Sequence, residues 1–506
     1  MLQLGGQLLT LKEMAEVASG KVRLELAQAA MAQMEASRRV VRRVAGEHRP
    51  VYGINTGFGK LCEVRIADDA IERLQLNLVR SHACGLGRPL SQEETRVVMA
   101  LRANTLALGY SGVRPLIAEI LVAMLDRGVL PVIPEKGSVG ASGDLAPLAH
   151  LALAIIGEGE VDYQGRRWPS REALRLAGIE PVRLEAKEGL ALLNGTQVLT
   201  AVGGLALWRA WRVVGLADVA GAMSLEALLG TPVAFDQRIH AARPHAGQAA
   251  SAARLRKLLE GSDVDPSRRK TPARVQDAYS LRSMPQVHGA VRGALEYARA
   301  AVETETGSAT DNPLVFAETG DILSGGNFHG APLALAFDSA AIAMTTLAGI
   351  GERRIDRLVN PDLNDGLPAF LAADPGLSSG FMIAQVVAAS LLNESKVLAH
   401  PASVDSLPTS GGQEDHVSMG MTAATKLRGI VDNAEYMVAI ELLAAAEALR
   451  YRQPFEPGPE IRGVVEVVRS IAPPLAEDRP LSRDIEATAA AIRQGRFDEW
   501  AFFLSL

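Results

Sequence analysis

Cysteine is almost missing from this chain: Cys62 and Cys84 are the two it has in 506 residues. A disulfide scaffold needs more, so a reducing, cytoplasmic setting is expected. Two thiols cannot close a zinc cage, and no pair of histidines falls in a His-Glu-x-x-His pattern, so no metal is expected. Aromatic residues make up 4%, and the formal net charge is -6 with no basic stripe, which speaks against a nucleic-acid partner. No basic segment followed by an apolar leader opens the chain, so the sequon Asn194-Gly195-Thr196 is not read as a glycan site. The longest apolar run, residues 331–350, contains Asp338 and is soon followed by Glu352, Arg353 and Arg354. It reads as a buried core helix, and no membrane partner is expected.

What is abundant is alanine and leucine, the best helix formers. With 48% hydrophobic and 22% charged residues, the composition is that of a soluble, mainly α protein with a large core. Residues 1–50 and 68–107 show helical spacing, and 115–127 is a clear helix with Pro115 at its first turn and Gly128 at its end. Its apolar face is Leu116, Ile117, Ile120, Leu121, Met124 and Leu125. Residues 161–170 suggest a small hairpin or a turn at the periphery. Long Ala/Leu/Val-rich segments follow at 190–230, 284–305, 331–358, 380–398, 418–449 and 484–495. We expect a bundle of long helices with more apolar faces than one copy covers, hence an oligomer. The organisation expected is a loop-rich N-terminal part over 1–190 and a helical part over 191–506.

The stretch GSVGASGDLAPLAH at 137–150 departs from this pattern. It is no P-loop, because Gly143 is followed by Asp144 and Leu145, and its glycine spacing is not that of a dinucleotide-binding turn. A plain turn with Asp144 or Ser142 capping the next helix is one reading. The other is chemical. The Gly143 nitrogen is unhindered, and on a bent backbone it can attack the Ala141 carbonyl. Loss of water closes an imidazolone, and loss of the Ser142 hydroxyl as a second water leaves an exocyclic methylidene. The result is an electrophile made from the chain itself, with no external cofactor.

This stretch resembles the signature of the aromatic amino acid ammonia-lyases, which carry such a 4-methylideneimidazol-5-one (MIO) group. Further blocks resemble the family in its order: YGINTGFG at 52–59, LLNGTQ at 192–197, VQDAYSLRSMPQVHG at 275–289, TDNPLVF at 310–316, GGNFHG at 325–330 and AHPASVDSLPTSGGQEDHVSMG at 399–420. The resemblance implies the fumarase/aspartase-like helical fold and autocatalytic MIO formation from Ala141, Ser142 and Gly143. It also implies a homotetramer whose sites draw on several chains.

Within the family, Ser81-His82 resembles the histidine-specific and tyrosine-specific members and not the phenylalanine-specific ones. Glu414, in Gln413-Glu414-Asp415-His416, resembles the histidine-specific members. A carboxylate there pairs with an imidazole and is costly against a phenyl ring. The reaction this implies is non-oxidative deamination of L-histidine to trans-urocanate and ammonia, either by attack of the substrate amine on the methylidene or, in an older scheme, by attack of its ring. By resemblance, Tyr279 takes the β-proton. A tyrosine hydroxyl ordinarily titrates near about 10, so it needs a partner such as Arg282. Arg282 would also clamp the substrate carboxylate. Asn194 would polarise the MIO carbonyl, Tyr52 would belong to a mobile lid with Gly53, Gly57 and Gly59, and Glu414 would also move protons. His82 would contact the imidazole, with Gln276 and Phe328 as positioning residues.

Two positions depart from the family pattern. Ala331 stands where relatives have Glu before Pro332, and Gly412 stands where many have Asn. The alternatives are a tyrosine ammonia-lyase, an MIO aminomutase, and a helical scaffold that has lost activity. Glu414 speaks against the first two. The intact Ala141-Ser142-Gly143, Tyr52 and Tyr279 speak against the third.

Overall fold

The computed structural model describes residues 1–47, 50–57, 65–268 and 275–502; His48, Gly59 and Cys62 lie outside the described residues. Helix dominates, as the composition implies. Pro115–Asp126 starts on its proline, and Gly128 follows at φ +70°. Its buried face runs through Ile117, Ala118, Ile120, Leu121, Met124 and Leu125, but Leu116 is 41% exposed and does not belong to it.

Contacts divide the chain into two compact units, neither of them a continuous stretch. The first comprises Met1–Leu205, Ala298–Asp338 and Pro401–Thr425. Its N-terminal region is not helical throughout. Leu2–Leu4 pairs in parallel with Leu24–Leu26, between helices Leu11–Ala18 and Gln28–Ala45. The helix Leu11–Ala18 opens with a capping box from Thr10 and Glu13, and Gly20 turns the chain at φ +68°. The expected hairpin forms between Glu160–Tyr163 and Arg166–Pro169. Gln164 and Gly165 turn it with φ of +50° and +76°, the double positive φ of a two-residue hairpin turn.

The apolar segment expected over 190–230 holds two helices. Glu188–Leu193 ends at Asn194, and Gln197–Ala227 begins after Gly195, whose φ is +150°. An Asn-Gly pair leaves the helix readily because both residues tolerate non-helical backbone. The second unit comprises Ala206–Tyr297, Ser339–His400 and Lys426–Leu506. It is built from the rest of the long helices, and its core carries charge. Asp218 accepts from His288 Nδ1 at 2.7 Å, Arg254 Nε at 2.9 Å and an Arg292 amino group at 2.7 Å. Arg354 and Glu441 form a second fully buried pair, at 2.9 Å from Nη2 to Oε2. The apolar run lies in Ala331–Val359, a helix long and apolar enough to span a membrane, and 61% of its most apolar window is buried within the protein.

Candidate functional site

The loop 137–144 sits in the first unit, held on both sides. The Met419 nitrogen donates to the Val139 carbonyl at 2.8 Å, and Gly330 and Ser418 donate to the Gly140 carbonyl at 3.2 and 3.1 Å. Gly140 has φ +66°, and a Cβ there would lie 2.2 Å from Ser418 Oγ. Gly143 has φ +71°, and a Cβ there would lie 2.1 Å from the Gly195 carbonyl oxygen. Both positions exclude any other residue on backbone conformation and on space.

Asp144 does not cap the helix Leu145–Ile155 that it precedes. Its buried carboxylate instead accepts from the Val198 and Leu199 nitrogens at 2.9 and 2.8 Å, at the start of Gln197–Ala227, and from Ser138 Oγ at 2.8 Å. It therefore fastens the loop to the positive end of another helix. Burial pushes its carboxyl up to about 6, against those three hydrogen bonds and the nearby Arg102 charge. The plain-turn reading is thus corrected in its partner: neither Ser142 nor Asp144 caps the following helix.

Asn194 is the residue at which Glu188–Leu193 unwinds, with φ −88° and ψ 112°. Its Nδ2 donates to the Ser142 carbonyl at 2.8 Å, while its Oδ1 is buried and has no hydrogen-bond partner. Ser142 Oγ donates to Glu414 Oε1 at 2.8 Å, and Glu414 Oε2 accepts from Thr409 Oγ1 at 2.6 Å. Glu414 stands at the end of a tight 409–414 turn in which Gly411 and Gly412 have φ of +65° and +85°. Asparagine also tolerates that left-handed backbone, which accounts for the exchange at 412.

His82 is the last residue of Ile71–His82. Its Nδ1 lies 2.9 Å from the Leu78 carbonyl, so Nδ1 carries the proton and Nε2 is an acceptor. Burial lowers its pKa, opposed by the Leu78 carbonyl and by the Glu414 charge. The structure thus brings Ser142, Asn194, Glu414 and His82 together around one loop. Phe328 is half-buried, two residues before the Gly330 contact with Gly140. Ala331 is the first residue of the helix that follows.

Tyr52 is half-buried on a turn, and the described part of the proposed lid is packed. Asn55 Oδ1 accepts from the Val51 nitrogen at 2.7 Å, and a Cβ on Gly53 would lie 2.8 Å from Leu190 Cδ2. Gln276, Tyr279 and Arg282 lie in the second unit. Gln276 is exposed and Tyr279 is 71% exposed. The Arg282 guanidinium lies 4.5 Å from the centre of the Tyr279 ring, and its buried Nε has no hydrogen-bond partner.

Sequence reasoning missed several partners. Thr409 and Ser418 stand inside the quoted 399–420 block, so their hydroxyls were available as candidates. The pairing of the stacked rings of His329 and His416, 5.8 Å apart, had no sequence signal although each stands inside a quoted block, because 86 residues separate them. Neither did the buried Arg102, which reads as one more polar residue in a helix.

The chain is 56% identical to the histidine ammonia-lyase of Stigmatella aurantiaca over 494 residues, covering 98% of this chain and 96% of that one. The crystal structure of histidine ammonia-lyase from Trypanosoma cruzi superposes with a TM-score of 0.92 at 42% identity, over 100% of this chain and 96% of that one. Tyrosine aminomutase from Streptomyces globisporus superposes with a TM-score of 0.94 at 39% identity, over 100% and 99%. The fold therefore does not separate these activities, and the site residues must. With the family model for aromatic amino acid lyases also matching residues 9–470, the chain belongs to the aromatic amino acid lyase family.

Proposed function

We propose that this chain catalyses the non-oxidative deamination of L-histidine to trans-urocanate and ammonia. The observation that carries this reading is the Glu414 carboxylate bonded to the hydroxyl of Ser142 at 2.8 Å. It puts an anion at the reacting loop, where an imidazole N–H finds a partner and a phenyl ring does not. The relatives named histidine ammonia-lyase, more than half identical over nearly the whole chain, support the same substrate.

The residues at the loop fit an MIO group. The backbone admits only glycine at 143, the Ser142 hydroxyl sits on a proton acceptor, and the unpartnered Asn194 Oδ1 is an acceptor left for a bound donor. Held in Ala141, Ser142 and Gly143, such a group would supply an electrophilic carbon that makes the substrate's amino group a better leaving group. Asn194 Nδ2 donates to the Ser142 carbonyl, an oxygen that neither dehydration removes, so this hydrogen bond is available to polarise it throughout. Glu414 Oε1 holds the hydroxyl that the second dehydration expels, and that acceptor then becomes open to the substrate ring. His82, neutral with Nε2 as acceptor, would contact the imidazole as well.

Tyr279 is the proposed β-proton base, with the Arg282 cation against its ring, and Arg282 Nε has donor capacity left for the substrate carboxylate. Tyr52 would close over the substrate, and Gln276 and Phe328 would position it. A base 71% exposed on the single chain fits a homotetramer in which each site draws on several copies.

The first test is an ultraviolet assay of purified protein with L-histidine, L-tyrosine and L-phenylalanine in parallel. Urocanate from histidine alone is expected. Turnover of tyrosine or phenylalanine instead would overturn the roles given to His82 and Glu414.

A further inference from the structure

We propose that Arg102 is the positioning residue on which backbone cyclisation at Ala141-Ser142-Gly143 depends. The proposal rests on the MIO reading of that loop. Arg102 lies on helix Gln92–Ala107 and is completely buried. Its Nη1 and Nη2 both donate to the Asn194 carbonyl, at 2.9 and 3.0 Å, and Nη1 also donates to Gln197 Oε1 at 2.7 Å. Gln197 is fixed in turn by the Thr105 and Thr310 hydroxyls at 3.0 and 2.8 Å. Two donors on one carbonyl set the plane of the Asn194–Gly195 peptide.

From the two residues flanking that peptide, two contacts reach the loop on either side of Gly143. Asn194 Nδ2 holds the Ser142 carbonyl at 2.8 Å, and the Gly195 carbonyl accepts from the Asp144 nitrogen at 2.7 Å. The three layers leave no slack. A Cβ on Gly195 would lie 2.7 Å from Arg102 Nη1, and one on Gly143 would lie 2.1 Å from the Gly195 oxygen. Arg102 is therefore the rigid backing behind the nitrogen that must attack.

The electrostatics keep it charged there. Burial lowers its guanidinium to about 10, while the buried Asp311 and Asp144 act to raise it. Lys187, also buried, pairs with Asp311 at 2.8 Å, so two cations face two carboxylates. A core held only for stability does not need such a group, because well-packed apolar side chains serve as well or better. A buried bidentate donor aimed at one carbonyl is suited to fixing geometry.

In the reaction, a bond forms between Gly143 N and the Ala141 carbonyl carbon. The Ala141 oxygen leaves as water with the amide protons of Ser142 and Gly143. A second water takes the Ser142 hydroxyl and its Cα proton, leaving the methylidene. No oxidant or reductant is required. The first bond forms only while Gly143 N is held towards Ala141, and in this proposal the Asn194 amide and the Gly195 carbonyl, backed by Arg102, do that holding.

The test follows the intact mass of the full chain over time after cell-free synthesis, for wild type, Arg102→Lys, Gln197→Ala and Arg354→Lys. Wild type should lose two waters. Arg102→Lys keeps the charge but loses the paired grip, and its dehydration should slow about tenfold or more, the scale of one buried charge-assisted hydrogen bond. Gln197→Ala removes one of the three contacts of Arg102 and should slow dehydration by a smaller factor. Arg354→Lys weakens a buried ion pair of the second unit, with no hydrogen bond to the loop, and should dehydrate at the wild-type rate. Arg102→Lys and Gln197→Ala dehydrating at the wild-type rate would overturn the proposal. So would an equal slowing in Arg354→Lys, which assigns the effect to stability alone. If Arg102→Lys does not fold, the rate of Gln197→Ala decides. A wild type of unmodified mass overturns the MIO reading itself and is distinguished from these outcomes by that control.

Discussion

Ser142 donates its hydroxyl to Glu414 at 2.8 Å, across 272 residues of sequence. One residue is the proposed source of the methylidene carbon, and the other is the proposed partner of the substrate ring. Before cyclisation each occupies the other's hydrogen-bonding capacity. The same carboxylate can thus meet a departing hydroxyl first and an imidazole afterwards.

Replacing Ser142 by Ala removes the hydroxyl and leaves the backbone untouched. The variant should fold with a Tm within a few degrees of wild type, lose at most one water and lose turnover by about 10³-fold or more. Wild-type turnover in this variant would refute the MIO reading.

Gly143→Ala should behave differently. A methyl group 2.1 Å from the Gly195 oxygen, on backbone at φ +71°, forces the loop open. We expect about 2–4 kcal/mol of lost stability by chemical denaturation, together with an undehydrated mass. A stable, dehydrated variant would contradict the packing described.

Glu414→Gln keeps the shape and removes the charge. The kcat for histidine should fall about 10²-fold, the scale of a lost acid–base or charge-assisted partner, with stability changed by less than about 1 kcal/mol. Parallel losses of activity and stability would instead assign Glu414 to the scaffold of the 409–414 turn.

His82 gives a pH signature. Its folded pKa lies below the ordinary 6.5, with burial as the largest cause. A depressed value means that the stability it contributes is complete above about 6.5 and is lost as pH falls through the folded value. The Tm of wild type should therefore drop faster than that of His82→Gln between about pH 7 and pH 5. Superimposable profiles would remove His82 from the half-buried, neutral role.

Sharing of sites between copies is tested by complementation. Ser142→Ala and Tyr279→Phe should each be almost inactive alone. Co-expressed, they should recover measurable urocanate formation, because some sites would combine an intact loop with an intact tyrosine. Mixtures as inactive as the single variants would show that both residues of a site come from one chain.

The helical class is legible in the sequence because alanine, leucine and 3.6-residue spacing act locally. The helices Pro115–Asp126 and Ala331–Val359 fall within one or two residues of their expected ends. The parallel pair Leu2–Leu4 and Leu24–Leu26 is not legible, because three-residue strands are too short to show a period of two. The break at Asn194 is masked by apolar residues on both sides, although the Asn-Gly pair announces it. In the site, the loop residues are legible because cyclisation chemistry constrains them one by one. Their supports are not. The partner of Asp144 lies 54 residues away at another helix, and Arg102 acts through a backbone carbonyl that carries no side-chain signal. Tyr279 and Arg282 were reached through resemblance, and their 4.5 Å stacking is a local feature that three-residue spacing on a short helix allows.

The attachment of Asp144 to the first turn of Gln197–Ala227 bears on transplanting this chemistry to other scaffolds. Copying residues 137–144 into a foreign loop would carry the reacting atoms without the parts that shape them. The smallest portable cassette is discontinuous: the loop, the Asn194-Gly195 hinge with the helix start behind it, and a buried guanidinium beneath. An engineer seeking a protein that manufactures its own electrophile has to graft a junction between helices and not a motif.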